Sequence, residues 1–443
     1  MSIRTHKTFF FILNLILFSF LIVSCGKCSK SNEEKRQEKI KQEISAQKDS
    51  VTVKVHNFHL AMDSVYFLWK KDTTQSSLAL IKKHLVPRYE RFIVKYINLG
   101  KPIDSTDARW LMTFQSYKHP NPSCDISPLN VVLRRLLRTK DKYAFENIGL
   151  RKLDSALKKL PANCAEVQKT RLYLAQFFKT KDIKVMEKLI FSLQELSGIF
   201  DWQYLYASID KAWKNHDVKQ TMLPIAKRYH YFYPQKQLPP IVLFVSSLEK
   251  DAEVVVDTSF IAVSMDFCLG DTFKFYQNDK FPIYLHQRFN LKAYPYTVMR
   301  RFAGTHFAKS TNKEPVFAEI MLKMGAAAYF TKNMIENAED TLVFSCSKAK
   351  MQWAYQNEPF IWKDMVGKLY SKNATDFRKY IETAPFTKGY SDKSPGQLAM
   401  FIGYRIISSY MEKHPKITLP ELMKTQDWLS ILKESGYEPQ KPA

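Results

Sequence analysis

Apolar residues recur at helical spacing along most of the chain between residues 51 and 235. Apolar positions three and four residues apart predict amphipathic helices. The predicted helices cover residues 58–70, 78–98, 106–116, 128–138, 165–178, 183–196 and 200–213. Breaks that contain Pro102, Pro120 and Pro161 separate several of them. No signature recurs at the length of a tetratricopeptide repeat, so the pattern gives no support to a solenoid.

The pattern changes near residue 241. Runs of β-branched and aromatic residues at Ile241–Ser247, Glu253–Asp257 and Phe260–Phe267 alternate with polar turns. They predict a small antiparallel sheet of about three strands. From Phe281 onward the spacing is helical again. The predicted helices there cover residues 295–308, 315–334, 349–371, 374–382 and 396–413, and a last one starts near Asp427.

These patterns predict a mainly α fold with a small antiparallel β-sheet, which is an α+β class. A helical region at residues 51–235 precedes a region of sheet plus helices at residues 236–443. The pattern leaves open whether the two regions are separate domains or one body.

The helix predicted at residues 396–413 carries a broad apolar stripe that includes Leu398 and Ile406. Ser394–Pro395 before it is typical of an N-cap followed by the first helical position. Gly403, within the helix, costs it about 1 kcal/mol relative to alanine. A neighbour pressed against the backbone would explain that cost. We therefore expect a buried helix that packs closely against the helix predicted at residues 351–371.

The N-terminus has the pattern of a secretion signal. A basic segment precedes the apolar run Thr8–Ser24, which ends at Cys25. The residues directly before Cys25 resemble a bacterial lipobox, so we predict a signal peptide at residues 1–24 and lipid attachment, with palmitate-type acyl chains, at Cys25. A membrane-spanning anchor is the alternative, but the run is short for that purpose and contains Asn14.

Residues 25–50 are predicted to form a lipidated tether. Ser29–Ser50 is charged and almost without apolar residues, so it cannot bury a face. We expect a linker or an isolated solvated helix that holds the body away from the membrane, with a reach of roughly 70 Å if fully extended. Cys25 and Cys28 form a C-x-x-C pattern, but no βαβ context indicates redox chemistry.

The chain of 443 residues is strongly basic, with a formal charge of +24. Such an excess suits nucleic acid, anionic lipid or an acidic wall polymer. The lysines are scattered and no nucleic-acid-binding motif gathers them, so no nucleic-acid partner is expected. Proximity to anionic phospholipid is the favoured interpretation, and a solvated basic surface is the alternative.

Cys124 and Cys164 flank a predicted helical pair in a compartment that permits disulfides. A bond between them would contribute about 4 kcal/mol through loop closure, so they are a possible structural disulfide. The sequence favours two buried thiols instead, because Cys268 and Cys346 also resemble packing residues.

Four segments together carry a family resemblance. They are FIAVSMDFCLGDTFKFY (260–276), MLKMGAAAYF (321–330), QWAYQNEPFIWKDMVGKLYS (352–371) and SPGQLAMFIGYRIISSYM (394–411). In this order they resemble the gliding-motility lipoprotein GldB family of Bacteroidota, over roughly residues 220–437. The resemblance implies an envelope lipoprotein that is anchored to a membrane and faces the periplasm. It also implies contacts with other envelope proteins, in gliding motility or the linked type IX secretion apparatus.

The GldB pattern is distantly similar to zinc peptidases with an HExxH motif, in which the first helix after the sheet holds two histidines and a glutamate. That segment here, Tyr296–Ala308, contains only His306 and no glutamate. Zinc binding of this kind needs two imidazoles four residues apart on a helix. Glu319, on the next predicted helix, is expected to act as a cap or in an ion pair. The resemblance therefore implies a degenerate zincin-like C-terminal part without metal, cofactor or catalytic residues.

Other chemistry has no recognisable motif, because the chain lacks GxSxG, P-loop and GxGxxG patterns. An envelope peptidase or wall hydrolase without a known motif is one alternative function, and a surface-displayed binding module is another. Glu358, before Pro359, is expected to be a helix-entry residue, and His59 to lie on a solvated surface. Core packing is expected for three aromatic residues, and a surface that faces a partner is the alternative; they are Trp353, Phe360 and Trp362.

Overall fold

The structure is a computed structural model. It describes residues 32–46, 51–72, 74–97, 101–119, 124–162, 164, 167–249, 251–306 and 314–439. The predicted signal peptide, the predicted lipid site Cys25 and the neighbouring Cys28 lie outside these residues. Among the described residues, no helix has both the length and the apolar character needed to cross a membrane.

The first half of the chain is helical, as predicted, apart from one short strand, β1 (Val55–Asn57). Two π-helical turns, Ile93–Ile97 and Ala144–Gly149, interrupt the α-helices. The α-helices are α1 (Asn32–Ala46), α2 (Phe58–Lys71), α3 (Ser77–His84), α4 (Val86–Phe92), α5 (Ser105–Lys118), α6 (Leu129–Arg138), α7 (Leu150–Leu157), α8 (Gln168–Thr180), α9 (Ile183–Trp213) and α10 (Val218–Phe232).

The second half supplies three strands and nine further α-helices among the described residues. The strands are β2 (Ile241–Phe244), β3 (Val254–Val256) and β4 (Ile261–Ser264). The helices are α11 (Tyr294–His306), α12 (Phe317–Met334), α13 (Asp340–Val343), α14 (Lys348–Gln356), α15 (Glu358–Val366), α16 (Ala374–Ile381), α17 (Leu398–Lys413), α18 (Leu419–Lys424) and α19 (Trp428–Ser435). Short 3-10 turns lie at Met265–Phe267, Lys274–Tyr276 and Ile283–Arg288.

The sheet is mixed, and the prediction of a purely antiparallel three-stranded sheet was wrong. Its strand order is β1-β2-β4-β3. β1 and β4 both run parallel to β2, and only β3 is antiparallel, against β4. β1 is three residues long, and the whole helical region separates it from β2 in the sequence. Local residue pattern carries no signal for such a distant pairing.

Helices cover both faces of this sheet. Because side chains alternate from one face to the other along each strand, each strand contributes to the packing on both faces. Ile241 and Leu243 of β2 point into a core that contains α10, α11, α12 and α17. Val242 and Phe244 point the other way, into a core formed with α2, α3, α4 and α5. The regions predicted at 51–235 and 236–443 therefore share one sheet.

A third apolar core lies beside this layered body and is built from residues 124–200; we refer to this part as the satellite. Cys124 and Cys164 are joined there as a disulfide, with their Cα atoms 5.3 Å apart. The 31-residue helix α9, about 46 Å long, connects the satellite to the sheet core. Two separate helices were predicted where α9 is continuous. In contrast, the helix predicted at 349–371 is broken at Asn357, just before Pro359.

The charged segment expected to be a free tether instead forms α1, which lies against the body. Ile40 is buried there, at 3% exposure. Gln37 accepts a hydrogen bond from Arg228 at 3.0 Å, and Lys41 pairs with Glu336 at 2.8 Å. The interpretation as a linker was therefore wrong for this segment. The contacts of Gln37 and Lys41 are polar, so the pattern of apolar residues did not reveal them.

The helix at the centre of the second half, α17, is buried as expected, but two details differ. It begins at Leu398, after Gln397 in a left-handed conformation (φ 55°). Ser394 does not cap it; its hydroxyl accepts a hydrogen bond from the Thr387 amide at 3.1 Å, within the preceding turn. A capping pattern also fits such a turn, because serine hydroxyls bond to nearby backbone amides in both.

The close neighbour of α17 is α12, not the predicted helix at 351–371. A Cβ added to Gly403 would lie 2.1 Å from the carbonyl oxygen of Met321. A Cβ added to Gly325, on α12, would lie 2.0 Å from the carbonyl carbon of Gly403. The two helices thus cross backbone to backbone. Because α12 is apolar on almost every side, its pattern does not reveal which face meets α17.

His59 is buried at 4% exposure, so its assignment to a solvated surface was wrong. Its ring stacks on Tyr206 of α9 with a centroid distance of 4.9 Å. Lys118 Nζ lies 2.7 Å from its Nε2 and also pairs with Asp63 at 2.5 Å. Burial, followed by the charge of Lys118, lowers the pKa of His59 to about 4.

Candidate functional site: a basic cavity beside helix α11

A cavity of about 370 Å³ opens beside α11, the helix that follows the sheet. Its walls come from the 3-10 turn before α11, from α11, α12, α14 and α17, and from the loops before α14 and between α16 and α17. Its lining includes Glu253, Leu285, Arg288, Thr297, Arg300, Arg301, Lys323, Met324, Phe344, Ser345, Cys346, Lys350 and Met400.

The charged lining of this cavity is mainly cationic. Among the described residues, five lysine and arginine side chains line it, and only one carboxylate, Glu253, does so. Arg288 is engaged with that carboxylate through Nη2 at 2.7 Å. Lys350 donates to the carbonyl oxygens of Pro385, Asp392 and Ser394, each at 2.7 Å. These two cations therefore hold the cavity wall together.

Arg300 is fixed in the wall by neutral acceptors. Its Nη1 donates to the carbonyl oxygen of Val343 at 2.6 Å and to Ser345 Oγ at 2.9 Å. Burial, and then repulsion from Arg288, lower the pKa of Arg300 to about 10. Its guanidinium is therefore still charged at neutral pH, although no carboxylate among the described residues pairs with it at contact distance.

The other two cations, Arg301 on α11 and Lys323 on α12, make no hydrogen bond or close ion pair with the described residues. Burial lowers the pKa of Lys323, and the carboxylate of Glu319 only partly offsets this. Lys323 is half-buried and Arg301 is exposed, so both charged groups are open to an anion that enters the cavity.

Part of the remaining wall of the cavity is apolar. Leu285, Met324, Phe344 and Met400 contribute to it. Cys346 also lines the cavity, and burial raises the pKa of its thiol to about 12, so it is a neutral thiol at physiological pH. The cavity thus combines positive charge with apolar surface.

On α11 the positions that face this cavity include Thr297, Arg300 and Arg301. His306 is the last residue of the helix, and its ring stacks on Phe302 at a centroid distance of 4.2 Å. Glu319 accepts a hydrogen bond from the Val316 amide at 3.0 Å, which is the capping role expected from the sequence. Within the described residues, no three His, Cys, Asp or Glu side chains form a group that could hold a metal ion.

Glu358 has a structural role that extends beyond helix entry. It is the first residue of α15, and its Oε1 accepts from Arg405 Nε at 2.7 Å and from the Tyr437 hydroxyl at 2.6 Å. The side chain therefore ties α15, α17 and the segment after α19 together. Sequence reasoning missed this because its partners lie far along the chain.

The three aromatic residues expected in the core are divided between core and surface. Trp353 and Trp362 are half-buried, and their rings contact Tyr390 and Tyr437. Phe360 is 59% exposed, so core packing was the wrong interpretation for that residue. Phe360 follows directly after Pro359 at the start of α15, where its side chain points outward.

Comparison with known proteins gives the family. The family described as gliding motility protein GldB matches residues 139–439, which is more than half of the chain. No curated protein and no solved structure matches. The match confirms the resemblance seen in the four segments and extends it into the satellite, and it associates the protein with gliding motility. The chain belongs to the GldB family of gliding motility proteins.

Proposed function

We propose that the protein is an envelope lipoprotein that serves gliding motility, or type IX secretion linked to it, through contacts with other proteins and not through catalysis. The family match over residues 139–439 carries this proposal. The lipobox-like residues before Cys25 support membrane anchoring, with the body facing the periplasm.

The docked helix α1 supports a body held close to the membrane. Cys25 lies seven positions before Asn32, where α1 begins. A fully extended chain of that length reaches about 25 Å, far less than the whole charged segment would if it were extended. A lipid on Cys25 would keep the body near the bilayer, where its partners would be other membrane-bound proteins.

The residues of α11 support a non-enzymatic role. In a zinc peptidase this helix would hold two histidines and a glutamate, whereas here its cavity face presents Arg300 and Arg301. We regard the C-terminal part as a degenerate zincin-like scaffold on this basis. Exposed apolar side chains at Phe360, Val366 and Tyr370 are suited to protein contacts.

The test uses a gliding Bacteroidota host in which the gene is deleted and then restored. Deletion should abolish colony spreading, and the intact gene should restore it. A Cys25→Ala variant should leave the membrane fraction and fail to restore spreading. Cys28→Ala is the matched control, because it removes a thiol three positions away and leaves the predicted lipid site intact.

Two results would overturn the proposal. One is normal spreading in the deletion strain. The other is normal spreading with a Cys25→Ala protein that is no longer in the membrane fraction. In the same strains, crosslinking followed by mass spectrometry should capture envelope proteins with the parent chain. A screen of the purified protein against peptide and peptidoglycan substrates addresses the catalytic alternative, and turnover there would refute the non-enzymatic part.

A further inference from the structure

We propose that the basic cavity beside α11 binds a small organic anion, with carboxylate or phosphoryl oxygens at one end and an apolar group at the other. This inference concerns a ligand site and does not depend on the proposed role in motility.

The charge balance of the cavity is the first argument. Among the described residues, five cationic side chains and one carboxylate line a cavity of about 370 Å³. Arg288 uses that carboxylate, and Lys350 is bound to three backbone carbonyls. Arg300, Arg301 and Lys323 are left without a carboxylate at contact distance among the described residues. A concave wall of one charge sign concentrates ions of the opposite sign.

One of these cations, Arg300, is positioned before any ligand arrives. The Val343 carbonyl and Ser345 Oγ orient the guanidinium of Arg300 from one side. Arg301 is its neighbour on α11, and Lys323 approaches from α12. A planar guanidinium pairs with carboxylate or phosphate oxygens through two parallel hydrogen bonds, which favours oxyanions over halide ions.

The apolar part of the wall determines the chemistry of the other end of the ligand. Met324, Phe344 and Met400 line the same cavity as the cations. The volume lies within the range of about 300–1,000 Å³ that is usual for small-molecule sites. An inorganic anion would leave this apolar wall in contact with water. A ligand with an aryl or alkyl group would cover it and gain the corresponding hydrophobic contribution.

The test measures binding of three probes to the purified mature lipoprotein in a non-ionic detergent, by isothermal titration calorimetry. The probes are phenyl phosphate, 3-phenylpropionate and orthophosphate. We expect at least one of the two aryl anions to bind with one site per chain, at least tenfold more tightly than orthophosphate. Tighter binding of phenyl phosphate would assign a phosphoryl ligand, and tighter binding of phenylpropionate would assign a carboxylate.

Arg301→Gln and Lys323→Gln remove the two cations that make no hydrogen bond or close ion pair within the part of the chain that the structure describes. Each should weaken binding of the better aryl anion at least tenfold without changing the fold, because neither side chain holds the cavity wall together. Arg151→Gln and Lys188→Gln are matched controls, since both residues are exposed in the satellite and make the same change in charge. The controls should bind the aryl anion as the parent does.

Three results would overturn the inference. One is that neither aryl anion binds at ligand concentrations up to about 10-fold above a millimolar dissociation constant. Another is an equal loss of affinity in the cavity variants and the satellite controls, which would indicate general charge attraction. The third is binding of uncharged benzyl alcohol as tightly as the aryl anions. Circular dichroism and thermal melts of each variant show whether a lost signal reflects lost folding.

Discussion

Two glycines lie within long helices and have opposite surroundings. At Gly403 in α17, an added Cβ would lie 2.1 Å from the backbone oxygen of Met321 and 3.2 Å from the Cα of Gly325. At Gly198 in α9, an added Cβ would meet nothing within 4 Å. Glycine costs each helix about 1 kcal/mol relative to alanine. Only at Gly403 does the missing methyl group allow a second helix to approach.

The difference shows that the C-terminal core and the satellite are each stabilised internally in a different way. The C-terminal core depends on the backbone contact between α12 and α17, which tolerates no added atom. The satellite depends on apolar side chains from α6 to α9 and on the Cys124–Cys164 bond. Among the described residues, no neighbouring helix approaches the backbone of α9 closely at Gly198, so packing does not require a glycine there. Changes in the two parts should therefore have separable effects.

The largest expected effect is in the satellite. Cys124 and Cys164 are 40 positions apart, and closing a loop of that length contributes about 4 kcal/mol in the chain-entropy model. The double variant Cys124→Ser/Cys164→Ser should lose about that much stability. Hydrogen exchange should rise in α6–α9 while α12 and α17 keep their protection.

A reducing agent serves as the control for the disulfide. It should destabilise the parent protein and leave the double variant unchanged. Equal stability of the oxidised and reduced parent would contradict the bonded arrangement and favour the two buried thiols that the sequence suggested.

Gly403→Ala should have the next largest effect, a loss of about 3 kcal/mol, because the atoms that oppose the new methyl belong to backbone and cannot move aside. The helices α12 and α17 would have to separate along their crossing. Denaturant unfolding gives the change in free energy, and hydrogen exchange should rise in these two helices and not in the satellite. A Gly403→Ala protein that melts above the parent would refute the close-contact account.

The junction between the two parts should respond to pH. His59 stacks on Tyr206 in the half of α9 that enters the sheet core, and its folded pKa is about 4 against 6.5 for the unfolded chain. As pH falls from 6.5 to 4, His59 takes up a proton in the unfolded state and stays neutral in the folded state. Stability should therefore fall by roughly 2–3 kcal/mol across that window, with no contribution from this group above it.

A His59→Asn variant isolates this contribution. Its stability, measured by urea unfolding at several pH values between 4 and 7, should lack the part of the slope that His59 supplies. Asp63 and His119 also face this site and remain in the variant, so their own contribution stays in both proteins. An unchanged slope would mean that His59 is protonated in the folded protein.

The sequence predicted the features that depend on neighbouring residues. The helical spacing around Leu398 and Ile406 identified α17, and the cost of Gly403 indicated a close contact. The partner of that contact was not predictable, because Met321–Phe330 on α12 is apolar on nearly all sides. Tertiary packing decides which face meets α17, and the sequence of a helix without a polar side does not indicate that face.

The basic cavity was not predicted for a related reason. Arg288, Arg301, Lys323 and Lys350 come from four separate segments and converge only when the chain folds. In the sequence they belong to the scattered lysines and arginines of a basic protein. Only the adjacent Arg300 and Arg301 formed a local signal, and two basic residues in a row usually mark a solvated helix face. The docking of α1 through Gln37 and Arg228 was hidden in the same way.

The smallest expected effect completes the comparison between the two glycines. Gly198→Ala should stabilise the protein by about 0.5–1 kcal/mol, because alanine favours the helix and the added methyl group meets open space. Leu196 and Ile199 on either side stay buried in the satellite core, so the helix keeps its packing. Denaturant unfolding of the single variants and of Gly198→Ala/Gly403→Ala should give additive changes of opposite sign, since the two sites share no contact partner. A Gly198→Ala protein that is less stable than the parent would mean that α9 also needs its glycine for packing, and the distinction between the two parts would no longer hold.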